Sequence, residues 1–430
     1  MGVLYQVGVC AEKSLHFVDL FSMRRVFRPL SLYMICKDTL FFLICKVWFA
    51  NNEKIFYFCV KNAIMAKRLF VFNPEHDLVL AWEKRGGRLT PPRAARLLRH
   101  DLGFLPAFMA ENDDWVMVDD VEAAQQAATP FSEYLPDVRW VSPDEISRMP
   151  EKERHLLRCC PWGWDEDVRT QLIRIGMNES LMPTAEDLVK IRSLSHRAST
   201  IGLLDEMVKV HRQTIGERRS VDSLDDAKAL MRQWHKVVVK APWSSSGRGV
   251  RFIEHALTAS EEGFIRHVLE QQKSVVVEPY YDCVLNFALE FSLRENHTVA
   301  FDGISVFNNT GAAYTGNLLA PEHVKRAMLE EHIGHQTLLD ITSHIVQWLD
   351  VQTKKNNQQN DCGDRLFSGP VGVDMMLVRT SGGMYVHPCV EVNLRCTMGH
   401  IALHVERRTQ GKYRLMAIRY EKGRYSLAVE

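Results

Sequence analysis

Hydrophobic and polar positions alternate most regularly between residues 370 and 395. Val371, Val373, Met375 and Leu377 interleave with Gly372, Asp374, Met376 and Val378. Past a Ser-Gly-Gly turn, Val386, Val390, Val392 and Leu394 interleave with Tyr385, His387, Cys389, Glu391 and Asn393. Period two places alternate side chains on one face, so the pattern predicts a hairpin in which Glu391 and Asn393 point the same way. A four-residue loop from Ser381 to Met384 would pair Thr380 with Tyr385 and set Asp374 opposite Glu391. Two carboxylates facing each other in a mostly apolar sheet repel and desolvate badly unless a cation sits between them. A set made only of oxygens favours magnesium or manganese over zinc. The competing expectation is an exposed hairpin face on which Asp, Glu and Asn are simply solvated.

Upstream, the same periodicities divide the chain. Arg68-Leu-Phe-Val-Phe72 reads as a strand, Asn73-Pro-Glu-His-Asp77 as the loop after it, and residues 78–84 as helical. That loop either faces a ligand cleft at the strand end or caps the following helix. Pro91 and Pro92 precede a helix over 93–100, and residues 115–119 and 138–141 read as short strands, so 65–185 is expected to form a small α/β domain. Pro161-Trp-Gly-Trp-Asp165 is a loop whose two aromatics are expected to pack. Helical period recurs over 186–192, 199–210 and 224–233; Lys236-Val-Val-Val-Lys240 is then a buried strand ending in a cation. Residues 308–317 form a long small-residue loop, the best candidate for touching substrate. His400 and His404 stand four apart on a helix with no third ligand in sight and are read as structural.

Composition adds bounds. The chain has 430 residues with 53 basic and 53 acidic side chains, which removes any electrostatic bias toward nucleic acid and points to a small-molecule or peptide partner. Ten scattered cysteines without a Cys-x-x-Cys spacing form no disulfide framework, so a reducing, cytoplasmic setting is expected. Residues 1–64 differ from the rest, being rich in Phe, Leu, Val and Cys and poor in acids. Lys37, Asp38 and Lys46 interrupt the apolar run over 30–50, and each central charge costs roughly 2.5 to 3.5 kcal/mol of insertion, so no membrane association is expected. Met65 immediately precedes a well-formed strand, and residues 1–64 are read as an atypical extension from an upstream start.

Three further features carry chemistry. Lys240 is followed by Ala-Pro-Trp-Ser244-Ser245-Ser246-Gly247-Arg-Gly, where small residues let backbone N–H groups approach a phosphate and the strand-end lysine can pair with it. No Gly-Lys-Ser/Thr closes this loop and a strand follows it, so it is not a Walker loop; an ordinary Ser-Gly hairpin turn is the alternative. Lys273-Ser-Val-Val-Val-Glu278-Pro-Tyr280-Tyr-Asp282 is an apolar strand ended by Pro279, where unpaired backbone groups could read a base edge.

In this order, strand-Lys with a Ser/Gly loop, strand-Glu-Pro, then Asp374 and Glu391-Val-Asn393, the chain closely resembles the ATP-grasp superfamily, to which D-alanine:D-alanine ligase, biotin carboxylase and glutathione synthetase belong. The resemblance implies an α/β chain: a small pre-ATP-grasp domain over 65–185, a two-lobed ATP-grasp domain over 186–410 (small lobe 186–280, large lobe 281–410) and a tail over 411–430. It implies ATP with Mg2+ or Mn2+, held through Asp374, Glu391 and Asn393. Lys240 resembles the phosphate-binding lysine, and Arg197 stands where the family usually has an earlier lysine. Ser244, Ser245, Ser246 and Gly247 resemble the lid loop, Glu278 and Tyr280 the adenine hinge, Asp282 a ribose ligand, and Arg395 the arginine that steadies an acyl phosphate and tetrahedral intermediate. The family's usual acid before the metal hairpin has no clear position, and residues 354–365 form a polar insertion. The implied activity is ATP-dependent ligation of a carboxylate to an amine or thiol, releasing ADP and phosphate. A kinase on the same fold and a non-catalytic nucleotide-binding protein are the alternatives, and homo-oligomerisation is left open.

Overall fold

The computed structural model describes residues 30–32, 45–47, 67–82, 89–244, 247, 249–311, 313–355 and 365–430. The chain separates into two compact units, Met1–Met65 and Ala66–Glu430. In the first, β1 (Leu30–Leu32) and β2 (Cys45–Val47) pair antiparallel. The rest of the 1–64 segment lies outside the described residues. No helix among the described residues is long and apolar enough to cross a membrane.

The second unit is of mixed α/β class, as the sequence pattern predicts. Its first sheet is parallel, built from β3 (Arg68–Val71), β4 (Trp115–Met117), β5 (Arg139–Val141) and β6 (Arg158–Pro161) in the order β5-β4-β3-β6. Helices fill the crossovers, as parallel strands require. Their starts are chemically marked: Asp120 accepts from Ala123 N at 3.0 Å ahead of helix Val121–Ala128, and Ser142 with Glu145 forms a capping box ahead of Pro143–Arg148.

The second sheet comprises β7 (Arg219–Val221), β8 (Val237–Lys240), β9 (Val250–Ile253) and β10 (Val275–Pro279), antiparallel in the order β7-β10-β8-β9. Val237, Val239, Val275 and Val277 pack on Ala227, Met231, Ile265 and Val268 of helices Leu224–Trp234 and Ala259–Gln272. The alternate positions, Val238, Lys240 and Glu278, line a cavity on the opposite face. Both faces are covered, which is why β8 reads as an unbroken apolar run.

The third sheet contains β11 (Asp282–Leu293), β12 (Val299–Thr310), β13 (Ala313–Leu318), β14 (Gly369–Thr380), β15 (Gly383–Asn393), β16 (Leu415–Glu421) and β17 (Arg424–Val429). They run antiparallel in the order β15-β14-β11-β12-β13-β16-β17. Phe287, Leu289, Phe291 and Leu293 share a core with Leu338, Ile341, Ile345 and Leu349 of helix His335–Gln352. All eight are at most 1% exposed, so each contributes about 1.5 to 3 kcal/mol of burial as an upper estimate. The other face of the sheet, with Asn286, Ala288 and Glu290 on β11 and Asp374 and Met376 on β14, lines the same cavity as β8.

Several expectations are corrected. The β14–β15 turn is the two-residue Ser381-Gly382, with Thr380 opposite Gly383, which puts the ladder beside the turn two residues out of the expected register. An irregularity restores it: after Met376 pairs with His387, Met375 faces Pro388, Cys389 and Val390, and the next pair is Asp374 with Glu391. Pro388 has no N–H for the ladder, so the strand bulges there. Residues 411–430 are not a tail, because Met416 and Leu427 are buried and β16 and β17 complete the sheet. The turn between them, Lys422 (φ 50°) and Gly423 (φ 82°), has the positive φ pair that twists with a hairpin. Residues 308–317 are largely the β12–β13 hairpin tip, turning at Gly311. The expected boundaries at 185 and 280 fall between sheets and the one at 410 falls inside the third sheet, all within one compact unit. Most of the 354–365 insertion lies outside the described residues.

Candidate active site

A cavity of about 630 Å³ lies between the second and third sheets, within the size range of small-ligand pockets. Lys240 and Glu278 line one wall, Asp374, Glu391 and Asn393 the other, with Arg197, Ser244, Gly247, Tyr280 and Arg395 also at its surface. Ser245 and Ser246 lie outside the described residues.

On the β8 side, Lys240 Nζ donates to Glu278 Oε2 at 2.6 Å. Glu278 is 2% exposed; burial alone would raise its pKa, but Arg218 and Lys240 outweigh it and hold the carboxyl well below the usual range. The expected hinge residue therefore spends its side chain on Lys240 and Arg218. Tyr280 donates its N–H to Lys236 O at 2.9 Å, and its ring meets Phe252 edge-on at 6.0 Å. Asp282 is not among the cavity-lining residues; it is exposed and lies 3.9 Å from Arg379. Tyr281, passed over in the sequence, lines the cavity and packs on His387.

Arg197 joins the two walls. Its Nη2 donates to both oxygens of Glu391, at 2.8 and 2.9 Å, while Nη1 donates to Ala241 O at 2.5 Å and Ser244 Oγ at 2.9 Å. Asp374 receives one hydrogen bond, from Asn393 Nδ2 at 3.3 Å. Burial, then the nearby Glu391 and Glu290 charges, push its pKa up to about 7. A carboxyl so crowded by acids, with a single amide donor, fits a hard divalent cation. Asp374, Glu391 and the amide oxygen of Asn393 could hold it. Among the described residues, no cluster of three or more His, Cys, Asp and Glu is placed to hold a metal, so substrate oxygens and water would have to complete the shell.

Glu290, which no sequence motif marks, lies on the same wall of the cavity. It is 1% exposed, with Oε1 accepting from Ser305 Oγ at 2.9 Å and Thr397 Oγ1 at 3.0 Å. Burial pushes its pKa up to about 7. Its Oε2 lacks a hydrogen-bond donor although His400 Nδ1 is 3.0 Å away, because that nitrogen accepts from Thr397 N. Two glycines admit this carboxyl: a Cβ at Gly399 would lie 1.9 Å from Oε1, and one at Gly372 would lie 2.8 Å from Oε2. The signal was available in the alternation of Asn286, Ala288 and Glu290 with Phe287, Leu289 and Phe291. His400 otherwise meets Phe291 O through Nε2 at 3.2 Å, so both its nitrogens have protein partners.

Arg395 meets the loop after β3. Asp77 accepts from Arg395 Nε at 3.0 Å and lies 2.9 Å from Nη2, and it also sits in the first turn of helix His76–Ala81. No side chain caps that helix, and Asp77 reaches the cavity only through Arg395, which lines it. Burial raises its pKa, but Arg395 outweighs it and lowers the value overall. The loop is itself fixed, since Asn73 Nδ2 donates to Gly163 O and Asp165 Oδ2 at 2.9 Å each. Trp162 packs on Phe72, and its carbonyl accepts from Cys396 N at 2.7 Å.

No family model matches the chain, and no curated protein matches its sequence. Among solved structures, biotin carboxylase from Campylobacter jejuni in complex with β-γ-ATP is similar at 12% identity over 81% of this chain and 71% of that one, with TM-score 0.45. N5-carboxyaminoimidazole synthetase from Staphylococcus aureus complexed with ADP is similar at 12% identity over 83% of each chain, with TM-score 0.42. D-alanyl-alanine synthetase A from Vibrio cholerae is similar at 14% identity over 59% of this chain and 71% of that one, with TM-score 0.38. At TM-scores below 0.5 these likenesses carry no weight for function, which has to stand on the site itself.

Proposed function

We propose that this protein is an ATP-grasp enzyme that ligates a carboxylate to an amine or thiol, with ATP split to ADP and phosphate. One observation carries the proposal. Two antiparallel sheets enclose a cavity in which Lys240 and Arg197 stand over a paired Asp374 and Glu391, with Asn393 and Arg395 beside them. Cations for phosphates and acids that would hold a divalent cation then meet in one place.

In this scheme the base of ATP lies among Val238, Phe252, Tyr280 and Met376, all lining the cavity, and Lys240 and Arg197 hold its phosphates. A bound Mg2+ or Mn2+ would supply charge neutralisation between the phosphates and the acids. Ser244 and Gly247, both at the cavity surface, supply a hydroxyl and a backbone N–H for the phosphates. A small-molecule or peptide carboxylate takes the γ-phosphoryl group and ADP is released; an amine or thiol then attacks the acyl carbon and phosphate leaves. Arg395, oriented by Asp77, neutralises charge on the acyl phosphate and on the tetrahedral intermediate. No enzymic nucleophile is required.

The test is to incubate purified protein with magnesium and ATP against pooled amino acids, small acids and peptides, following ADP. Substrate-dependent ADP with a condensed product is the expected result. A phosphorylated substrate as the stable end point would identify a kinase instead, and nucleotide binding without turnover under any pool would identify a binding protein.

A further inference from the structure

We propose that Arg218 is the positioning residue of the nucleotide site, setting Lys240, Arg197 and Glu391 at once. The proposal rests on the nucleotide assignment above but names a residue outside its binding set. Arg218 is 0% exposed and stands just before β7, directly across the ladder from Glu278, since its neighbour Arg219 pairs with Val277. Nε donates to Glu278 Oε1 at 2.6 Å. Nη1 donates to Thr200 Oγ1 at 2.6 Å and Arg197 O at 3.2 Å, and Nη2 to Cys389 O at 2.9 Å and Val390 O at 2.7 Å. A guanidinium has five N–H donors, and here each has an acceptor.

The acceptors belong to the segments that carry the site. Glu278 presents its other oxygen to Lys240. Arg197 O and Thr200 lie in the turn that projects the Arg197 side chain onto Glu391. Cys389 and Val390 fall in the bulge that brings Glu391 opposite Asp374. Successive carbonyls of a regular strand point to opposite sides, so one Nη2 can collect both only where the strand is irregular. Arg218 thus locks the register correction on which the metal-type pair depends, and it does so from the second sheet. Residues leading to Arg218 are held as well: Ile215 N donates to Val386 O at 2.8 Å, and Val386 N donates to Gln213 O at 2.9 Å. A lysine could not replace it, because three donors on one point cannot reach acceptors spread across three segments.

A purely structural arginine would affect folding alone, so the test measures coupling. Binding of ADP with magnesium to the full chain is followed by calorimetry for wild type, Arg218→Lys, Lys240→Met and the double variant. Positioning predicts that folded Arg218→Lys binds at least tenfold more weakly and that Lys240→Met costs much less in that background than in wild type. A lowered melting temperature with ADP affinity and the Lys240→Met effect both unchanged overturns the proposal. Should Arg218→Lys fail to fold, Glu278→Gln replaces it, keeping the guanidinium while weakening its link to Lys240. The same tenfold loss and the same collapse of the Lys240→Met effect are then expected, and unchanged affinity overturns the proposal. Wild type that binds no ADP defeats the nucleotide assignment itself, and this proposal with it.

Discussion

Single side chains at this site are strained by their charges. Asp374 has its pKa pushed from 3.8 to about 7 by burial and by neighbouring acids, so folding favours its protonated form. Stability from that source is complete below about pH 4, falls as pH rises toward 7, and stays lost above it. Asp374→Asn is therefore expected to raise the melting temperature of the ligand-free protein, with a gain larger at pH 8 than at pH 5. The effect is on the order of 2 kcal/mol after allowance for the partial exposure of the residue. The same variant, and Glu391→Gln, should lower turnover on the order of a thousandfold with the fold intact, and retained activity would remove both from the chemistry. Gly399→Ala is expected to destabilise by about 1 to 3 kcal/mol in a denaturant melt, since its Cβ would fall 1.9 Å from Glu290 Oε1 and the carboxyl would have to move. Wild-type stability in that variant would mean that Glu290 has room the present packing denies.

At the scale of elements, the hairpin β14–β15 shows what the sequence carries and what it hides. Period two correctly paired Asp374 with Glu391, yet from the wrong turn: Ser381-Gly382 closes the hairpin and the bulge at Pro388 absorbs two residues. Alternation reports faces and is insensitive to an even register error. Glu290 and Arg218 were missed for different reasons. Glu290 obeys the same alternation as Asp374 but has no hairpin partner acid to draw attention to it. Arg218 belongs to no motif, and its meaning lies in five acceptors drawn from three distant segments. The short helix His76–Ala81 joins the parallel sheet to the site through Asp77 and Arg395. Removing Asp77 with Ala leaves the Arg395 guanidinium without its carboxylate. The expected outcome is a large fall in kcat with ATP affinity little changed, shared by Arg395→Met, as for groups acting mainly in the transition state. A rise in the ATP dissociation constant alone would place Arg395 in ground-state binding.

For the whole molecule, the division between Met1–Met65 and Ala66–Glu430 predicts that a chain beginning at Met65 folds and shows the same magnesium-ATP-induced rise in melting temperature as the full chain. Insolubility or loss of that shift would make the first 64 residues part of the functional fold. The central claim concerns the reaction, in which a carboxylate is activated as an acyl phosphate between the two antiparallel sheets. Its most direct test uses an oxygen-18-labelled carboxylate substrate from the ADP-release screen, with phosphorus NMR of the phosphate released. Ligation through an acyl phosphate must transfer one labelled oxygen to inorganic phosphate, alongside ADP. Unlabelled phosphate, or label appearing in AMP with release of pyrophosphate, would contradict it.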